Sequence, residues 1–239
     1  MRQRLCARVL LAACGLLFLT GCSANPSSSD DKPSTPRSSP SPFADVFDTV
    51  PLPDAVARLR RAAENPAGYD RDAFDLYQDL DHDGCDARRE TLLAEAVKAP
   101  KVTQPGCKLT GGQWFSYYDG ATLTDAQKVS IDHVVALSEA WASGARDWPR
   151  ERLVEYGSYL DDPEHLVGVT QSVNSRKGDK DPAEWLPARD EARCRYVAAF
   201  VGVKLGWKLT ADAGEREALR DLSNPQHGAC RHSTVQVQR

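Results

Sequence analysis

An aspartate and a histidine sit side by side inside an apolar run, Ile131-Asp132-His133-Val134-Val135, and some forty residues later the chain reads Asn174-Ser175-Arg176-Lys177. Lys128 to Val134 reads as a strand, so Asp132 and His133 emerge near its end on opposite faces. His165 to Thr170 alternates apolar and polar residues as a second strand would. Gln171 to Lys177 then turns helical, with Asn174 and Lys177 one turn apart on the same side. The constraint is therefore a strand, a long connection, a second strand and a short helix. Their polar groups gather where the first strand meets that helix, and a single divalent ion can sit there.

The chemistry of the set is specific in combination. Asp132 and Asn174 offer hard oxygen ligands, which suit Mg²⁺ with several retained waters, or Mn²⁺. The lack of sulfur or imidazole ligands makes Zn²⁺ a poorer fit. His133, with an ordinary pKa of about 6.5, can take a proton from water near neutrality. Lys177 can hold a phosphate. Together these are the parts that metal-assisted hydrolysis of a phosphodiester requires.

The N-terminus places that chemistry outside the cytoplasm. Arg2, Arg4 and Arg8 precede an apolar run from Val9 to Leu19, too short to span a bilayer comfortably, and Leu19-Thr20-Gly21-Cys22 closes it. That sequence resembles a bacterial lipobox. Residues 1–21 are thus expected to be a signal peptide and Cys22 a lipidated first residue, anchored to the outer face of the cell membrane or later shed. Residues 22–43 are rich in Ser and Pro and read as a solvated tether. Residues 44–239 are enough for one domain with a real core. Contact with the membrane is expected only through the lipid, and the protein is expected to be a monomer.

Of seven cysteines, Cys6 and Cys14 leave with the signal and Cys22 carries lipid. The remaining four, Cys85, Cys107, Cys194 and Cys230, suit two disulfides in an exported domain. Three connectivities are possible, and the nearest-in-sequence pairing, Cys85 with Cys107 and Cys194 with Cys230, is expected. The formal charge is −4 and becomes more negative by three once the signal arginines are gone. A protein that grips nucleic acid through its backbone usually has a basic surface, so weak, salt-sensitive binding is expected.

The globular part reads as a mainly helical α+β domain. Helices are expected over Pro53–Glu64, Ala87–Lys98, Leu137–Ser143, Pro149–Tyr156, Arg193–Leu205 and Asp212–Leu222. Gly111-Gly112 between Cys107–Thr110 and Gln113–Tyr118 signals a short β-hairpin.

Three stretches carry a resemblance to a known family. They are Asp132-His133-Val134-Val135; Glu139-Ala140-Trp141 with Ser143-Gly144-Ala145; and Asn174 to Asp179 followed by Asp181-Pro182-Ala183-Glu184-Trp185-Leu186-Pro187. Together with Gly84-Cys85-Asp86-x-Arg88, they resemble the HNH endonucleases, in the secreted bacterial subgroup similar to the C-terminal nuclease domain of the GmrSD restriction enzyme. The likeness runs from about Tyr69 to Cys230. It implies a ββα-metal fold, with Asp132 and Asn174 on the metal and His133 as general base. It puts His165 at a middle position that this superfamily often fills with Asn to brace the active loop. In that frame Arg88, like Lys177, approaches the scissile phosphate. The implied substrate is nucleic acid, DNA first and RNA second.

Each residue also has an ordinary reading. Lys177 and Arg88 can be solvated helix charges, His165 a strand residue, and Asn174 a polar residue early in a helix. A second motif competes: Asp79-Leu80-Asp81-His82-Asp83-Gly84, then Glu90, fits the calcium-loop pattern D-x-D-x-D-G-x₅-E. Cys85 at position seven, Asp86 at position eight and the lack of a partner loop count against it. It supports a rival function, a non-enzymatic surface lipoprotein that binds calcium or a wall component on a nuclease-like scaffold.

Overall fold

The structure is a computed structural model that describes residues 47–238. The signal segment, Cys22 and the Ser/Pro-rich tether lie outside the described residues. Strand β1 (Phe47–Pro51) pairs antiparallel with the last strand, β11 (Thr234–Gln238), in a register that sets Val50 opposite Val235.

Helix α1 (Leu52–Arg58) carries Pro53 in its first turn, where no helical N–H is needed. The expected continuation to Glu64 does not form. The chain leaves the helix at Leu59, and β2 (Arg60–Arg61) pairs in parallel with β10 (Thr210–Ala211). The Ala62 N–H donates to the Ala211 carbonyl at 3.2 Å, so partners far along the chain replace the helical ones.

Helix α2 (Ala87–Ala94) is capped by Asp86, which accepts from the Arg89 N–H at 2.8 Å. It stops short of Lys98 because Glu95 turns its carboxylate onto the Gly168 N–H and the next residues form β3 (Ala96–Lys98).

The expected hairpin across Gly111-Gly112 is also corrected. Strand β4 (Lys101–Thr103) pairs with β5 (Lys108–Thr110), whereas β6 (Gln113–Ser116) lies between β3 and β7 (Ala121–Leu123). Both glycines do adopt positive φ, 68° and 96°. The Trp114 ring, however, folds back over Gly112, where a Cβ would meet it at 2.6 Å. Its indole N–H donates to the Leu92 carbonyl at 2.7 Å. Burial of Trp114 draws β6 inward, while β5 stays outside with β4.

The strand–connection–strand–helix frame forms as expected. Strand β8 (Val129–His133) pairs antiparallel with β9 (Leu166–Thr170). The connection between them carries α3 (Leu137–Ala142) and α4 (Arg150–Gly157), and α5 (Gln171–Lys177) follows directly. Helix α6 (Asp190–Gly206) buries Tyr196, Ala199, Phe200 and Val203, the expected inner face. It buries Val197 and Val201 as well, because β11 covers its other side. Helix α7 (Ala213–Ser223) precedes the terminal strand.

The main core surrounds α6, and a smaller one of Ala87, Leu92, Trp114, Val129, Ile131 and Leu166 lies beneath β8. Disulfides join Cys85 to Cys107 and Cys194 to Cys230, as expected. The domain is thus α+β, with seven α-helices and several small sheets among the described residues.

Candidate active site

The β8–β9 register sets Asp132 opposite Val167 and His133 opposite Leu166. Alternation along β8 then sends the two polar side chains to different neighbours. Asp132 enters the protein: Oδ1 accepts from the Lys177 ammonium at 2.9 Å and Oδ2 from the Tyr118 hydroxyl at 2.8 Å. Burial pushes the Asp132 carboxyl up, while the Lys177 charge and the two hydrogen bonds pull it back. Burial and the neighbouring Asp132 also hold the Tyr118 hydroxyl well above its usual range, so it stays a donor.

Lys177 is the clearest departure from the sequence reading. It is fully buried, and its ammonium donates to Asp132 and to the His133 carbonyl at 3.0 Å. It braces β8 from α5 and does not face solvent, where a phosphate would have to lie. Asn174, one turn earlier, donates its amide Nδ2 to Ser130 Oγ at 2.8 Å. This commits the nitrogen to β8 and leaves the amide oxygen as the group that can serve the cleft.

His133 packs beneath α4, nearly parallel to the Tyr156 ring. Its Nε2 lies 3.2 Å from the Gly157 carbonyl. A carbonyl only accepts, so in the neutral ring Nε2 carries the proton and Nδ1 the lone pair. Burial, then the neighbouring His165, hold the imidazole well below the usual histidine range. His165 is buried too. Its Nε2 donates to the Tyr156 carbonyl at 2.8 Å, its Nδ1 has no partner, and burial lowers its pKa to about 4.

The two histidines therefore take consecutive carbonyls at the end of α4, groups that a helix terminus leaves without internal partners. The next residue, Ser158, accepts from the Gln78 N–H at 2.8 Å. Gly157 is required at this point because a Cβ would meet the Phe74 carbonyl at 2.7 Å. Nothing in the sequence reading singled out Tyr156-Gly157-Ser158.

Asp132, His133 and Asn174 line one open cleft of about 200 Å³. Arg71, Tyr77 and Asp179 line it with them, and none of these was assigned a role from sequence. Arg71 is exposed, which suits a phosphate contact. Tyr77 adopts a left-handed φ of 61° and donates its hydroxyl to the Ile131 carbonyl at 3.3 Å. The signal for Arg71 is its place beside Tyr69-Asp70, where the family likeness begins; Asp179 ends the Asn174–Asp179 stretch that carries the likeness.

Arg88 does not line this cleft. Its guanidinium donates to the carbonyls of Ala126 at 3.2 Å and Val129 at 2.7 Å, which ties α2 to the start of β8.

The donor set fits a hard divalent cation. Each Asp132 oxygen accepts one hydrogen bond and keeps a lone pair, and Asn174 supplies an amide oxygen. In the acidic loop, Asp79, Asp81 and Asp83 bring carboxylate oxygens within 4.8 Å of one another. Asp79 also accepts from the N–H groups of Asp83 at 3.2 Å and Gly84 at 3.0 Å. Glu90, the fourth expected ligand, stays outside this group, although burial and the charges of Asp81, Asp83 and Asp79 push it up to about 7.

Comparison with known proteins supplies the family. Residues 89–222 match the family described as GmrSD restriction endonucleases, C-terminal domain. The chain is 38% identical over 157 residues to a protein of Arthroderma benhamiae described as an uncharacterized secreted protein, covering 66% of this chain and 75% of the relative. No solved structure matches the chain significantly. The β8–β9–α5 frame with Asp132, His133 and Asn174 thus lies within the matched stretch, while Arg71 and Tyr77 precede it, and the chain belongs to the family of GmrSD restriction endonuclease C-terminal domains.

Proposed function

We propose that this protein is an exported, divalent-metal-dependent endonuclease that hydrolyses phosphodiester bonds in DNA, with RNA as a second substrate. The observation that carries the reading is the meeting of Asp132, His133 and Asn174 at one cleft, with His133 held so that its lone pair is free. His133 Nδ1 takes the proton of a water that attacks phosphorus in line. Burial keeps the ring neutral at the pH of reaction, so it is ready to accept that proton. Asp132 and Asn174 would hold Mg²⁺ or Mn²⁺, which when bound neutralises charge on the phosphate and the departing 3′ oxygen. Lys177 and Tyr118 fix the Asp132 carboxylate. Arg71 offers a guanidinium to the phosphate. His165 positions the α4 terminus from which His133 is held. The products are 5′-phosphate and 3′-hydroxyl ends.

Cys22 is proposed to carry lipid and to tether the domain to the outer membrane face through residues 22–43. The secreted relative and the two disulfides support export. No helix among the described residues is long and apolar enough to cross a membrane.

The converging Asp79, Asp81 and Asp83 favour a second reading, a calcium- or wall-binding lipoprotein. Supercoiled plasmid separates the two. The mature chain should nick it with Mg²⁺ or Mn²⁺ and not with chelator. Calcium binding without nicking in either metal would favour the binding protein.

A further inference from the structure

Outside the lining of the His133 cleft, four acids come together from three segments: Glu64 after β2, Asp181 after α5, and Asp212 and Glu215 at the start of α7. One carboxylate oxygen from each lies within 4.8 Å of all the others. Asp181 and Glu215 are buried, Asp212 is half-buried, and Glu64 is exposed.

The buried acids are already oriented. Asp181 Oδ1 accepts from the Ala183 N–H at 2.6 Å, and Asp212 Oδ1 from the Glu215 N–H at 2.8 Å. Glu215 Oε2 accepts from the Lys204 ammonium, which also binds Glu139 at 2.6 Å. Each of the three is therefore fixed through one oxygen and can offer the other.

Glu215 adds an independent observation. It is 0% exposed, yet its Oε1 has no hydrogen-bond partner. A buried carboxylate oxygen without a donor is costly, and one ammonium does not offset this many acids. The group carries more carboxylates than the single Lys204 ammonium can pair with, and Glu215 Oε1 is left to face them.

We infer that Glu64, Asp181, Asp212 and Glu215 form a second divalent-cation site, built for calcium and distinct from the nuclease cleft. The donors are all carboxylate oxygens, with no nitrogen or sulfur, which selects a hard cation. Four carboxylates brought to one point suit calcium, which takes about six to eight oxygen ligands, better than Mg²⁺, which keeps several waters and takes one or two carboxylates. The ion would join the segment after β2, the start of α7 and the loop after α5. That loop matters because Gly178 and Asp179, just before Asp181, line the His133 cleft.

The test uses the full mature chain, stripped of metal, with calorimetric Ca²⁺ titration and thermal unfolding as readouts. One saturable site that raises Tm should survive the combined Asp79→Asn, Asp81→Asn and Asp83→Asn changes in the acidic loop. Glu64→Gln should weaken it at least tenfold, and Asp181→Asn likewise. Glu64 is exposed, so its variant decides the matter if Asp181→Asn fails to fold. Absence of Ca²⁺ binding, or binding lost in the loop variant but unchanged in Glu64→Gln, would overturn the inference.

Discussion

Lys177 has no exposure, and Asp132 has almost none, so the pair behaves as one buried unit in which each charge is the other's counter-ion. Removing the ammonium leaves an uncompensated carboxylate. Lys177→Met should therefore cost about 3–5 kcal/mol in denaturant unfolding. A solvated or phosphate-binding lysine would show less than about 1 kcal/mol. Arg71→Ala should do the reverse, lowering kcat/KM on DNA at unchanged Tm, because Arg71 lies exposed at the cleft. His165 predicts a pH effect. Its pKa of about 4 in the folded protein lies below the unfolded value of about 6.5, so unfolding takes up a proton between those limits. This contribution to stability is complete above pH 6.5 and declines as pH falls towards 4. Replacing His165 with Asn should reduce the slope of the urea midpoint across that window, His133 supplying a slope of the same sign; an unchanged slope would show that His165 is not a source of it.

At the scale of elements, the end of α4 matters more than its sequence suggests. Consecutive carbonyls of Tyr156 and Gly157 hold His165 and His133, so a change in the helix terminus moves the base without touching it. Gly157→Ala pushes a methyl group against the Phe74 carbonyl and should lower kcat by at least about tenfold with little change in KM. The β8–β9–α5 frame was legible because strand alternation and the Asn174–Lys177 spacing are local signals. So was the cysteine pairing. The α4 anchors were not, because a backbone carbonyl carries no residue label. Long-range partners also decided where α1 and α2 stop. Glu95 leaves α2 for the Gly168 N–H, and Trp114 takes β6 away from β5; both choices depend on residues that only the folded chain brings near. Lys177 was misplaced for the same reason: its position on the helix was readable, but the depth to which α5 sinks against β8 was not.

For the whole molecule, the acidic balance and a cleft with few cations imply that nucleic acid is held weakly. Cleavage should fall as salt rises, through KM more than kcat, with a shallow slope because few phosphates are neutralised. The two disulfides tie the acidic loop to the β4–β5 hairpin and α6 to the segment after α7. Replacing Cys194 and Cys230 together by Ala should cost about 2–5 kcal/mol, read from denaturant midpoints. Both features suit a protein that works where thiols oxidise. The proposed role of His133, held neutral beneath α4, is that of the base that activates water for phosphodiester cleavage. Its most direct test is single-turnover cleavage of plasmid DNA by His133→Ala in Mg²⁺, beside wild type of matched Tm. A loss of about 10²–10⁴-fold is expected. A rate within a few-fold of wild type would contradict it.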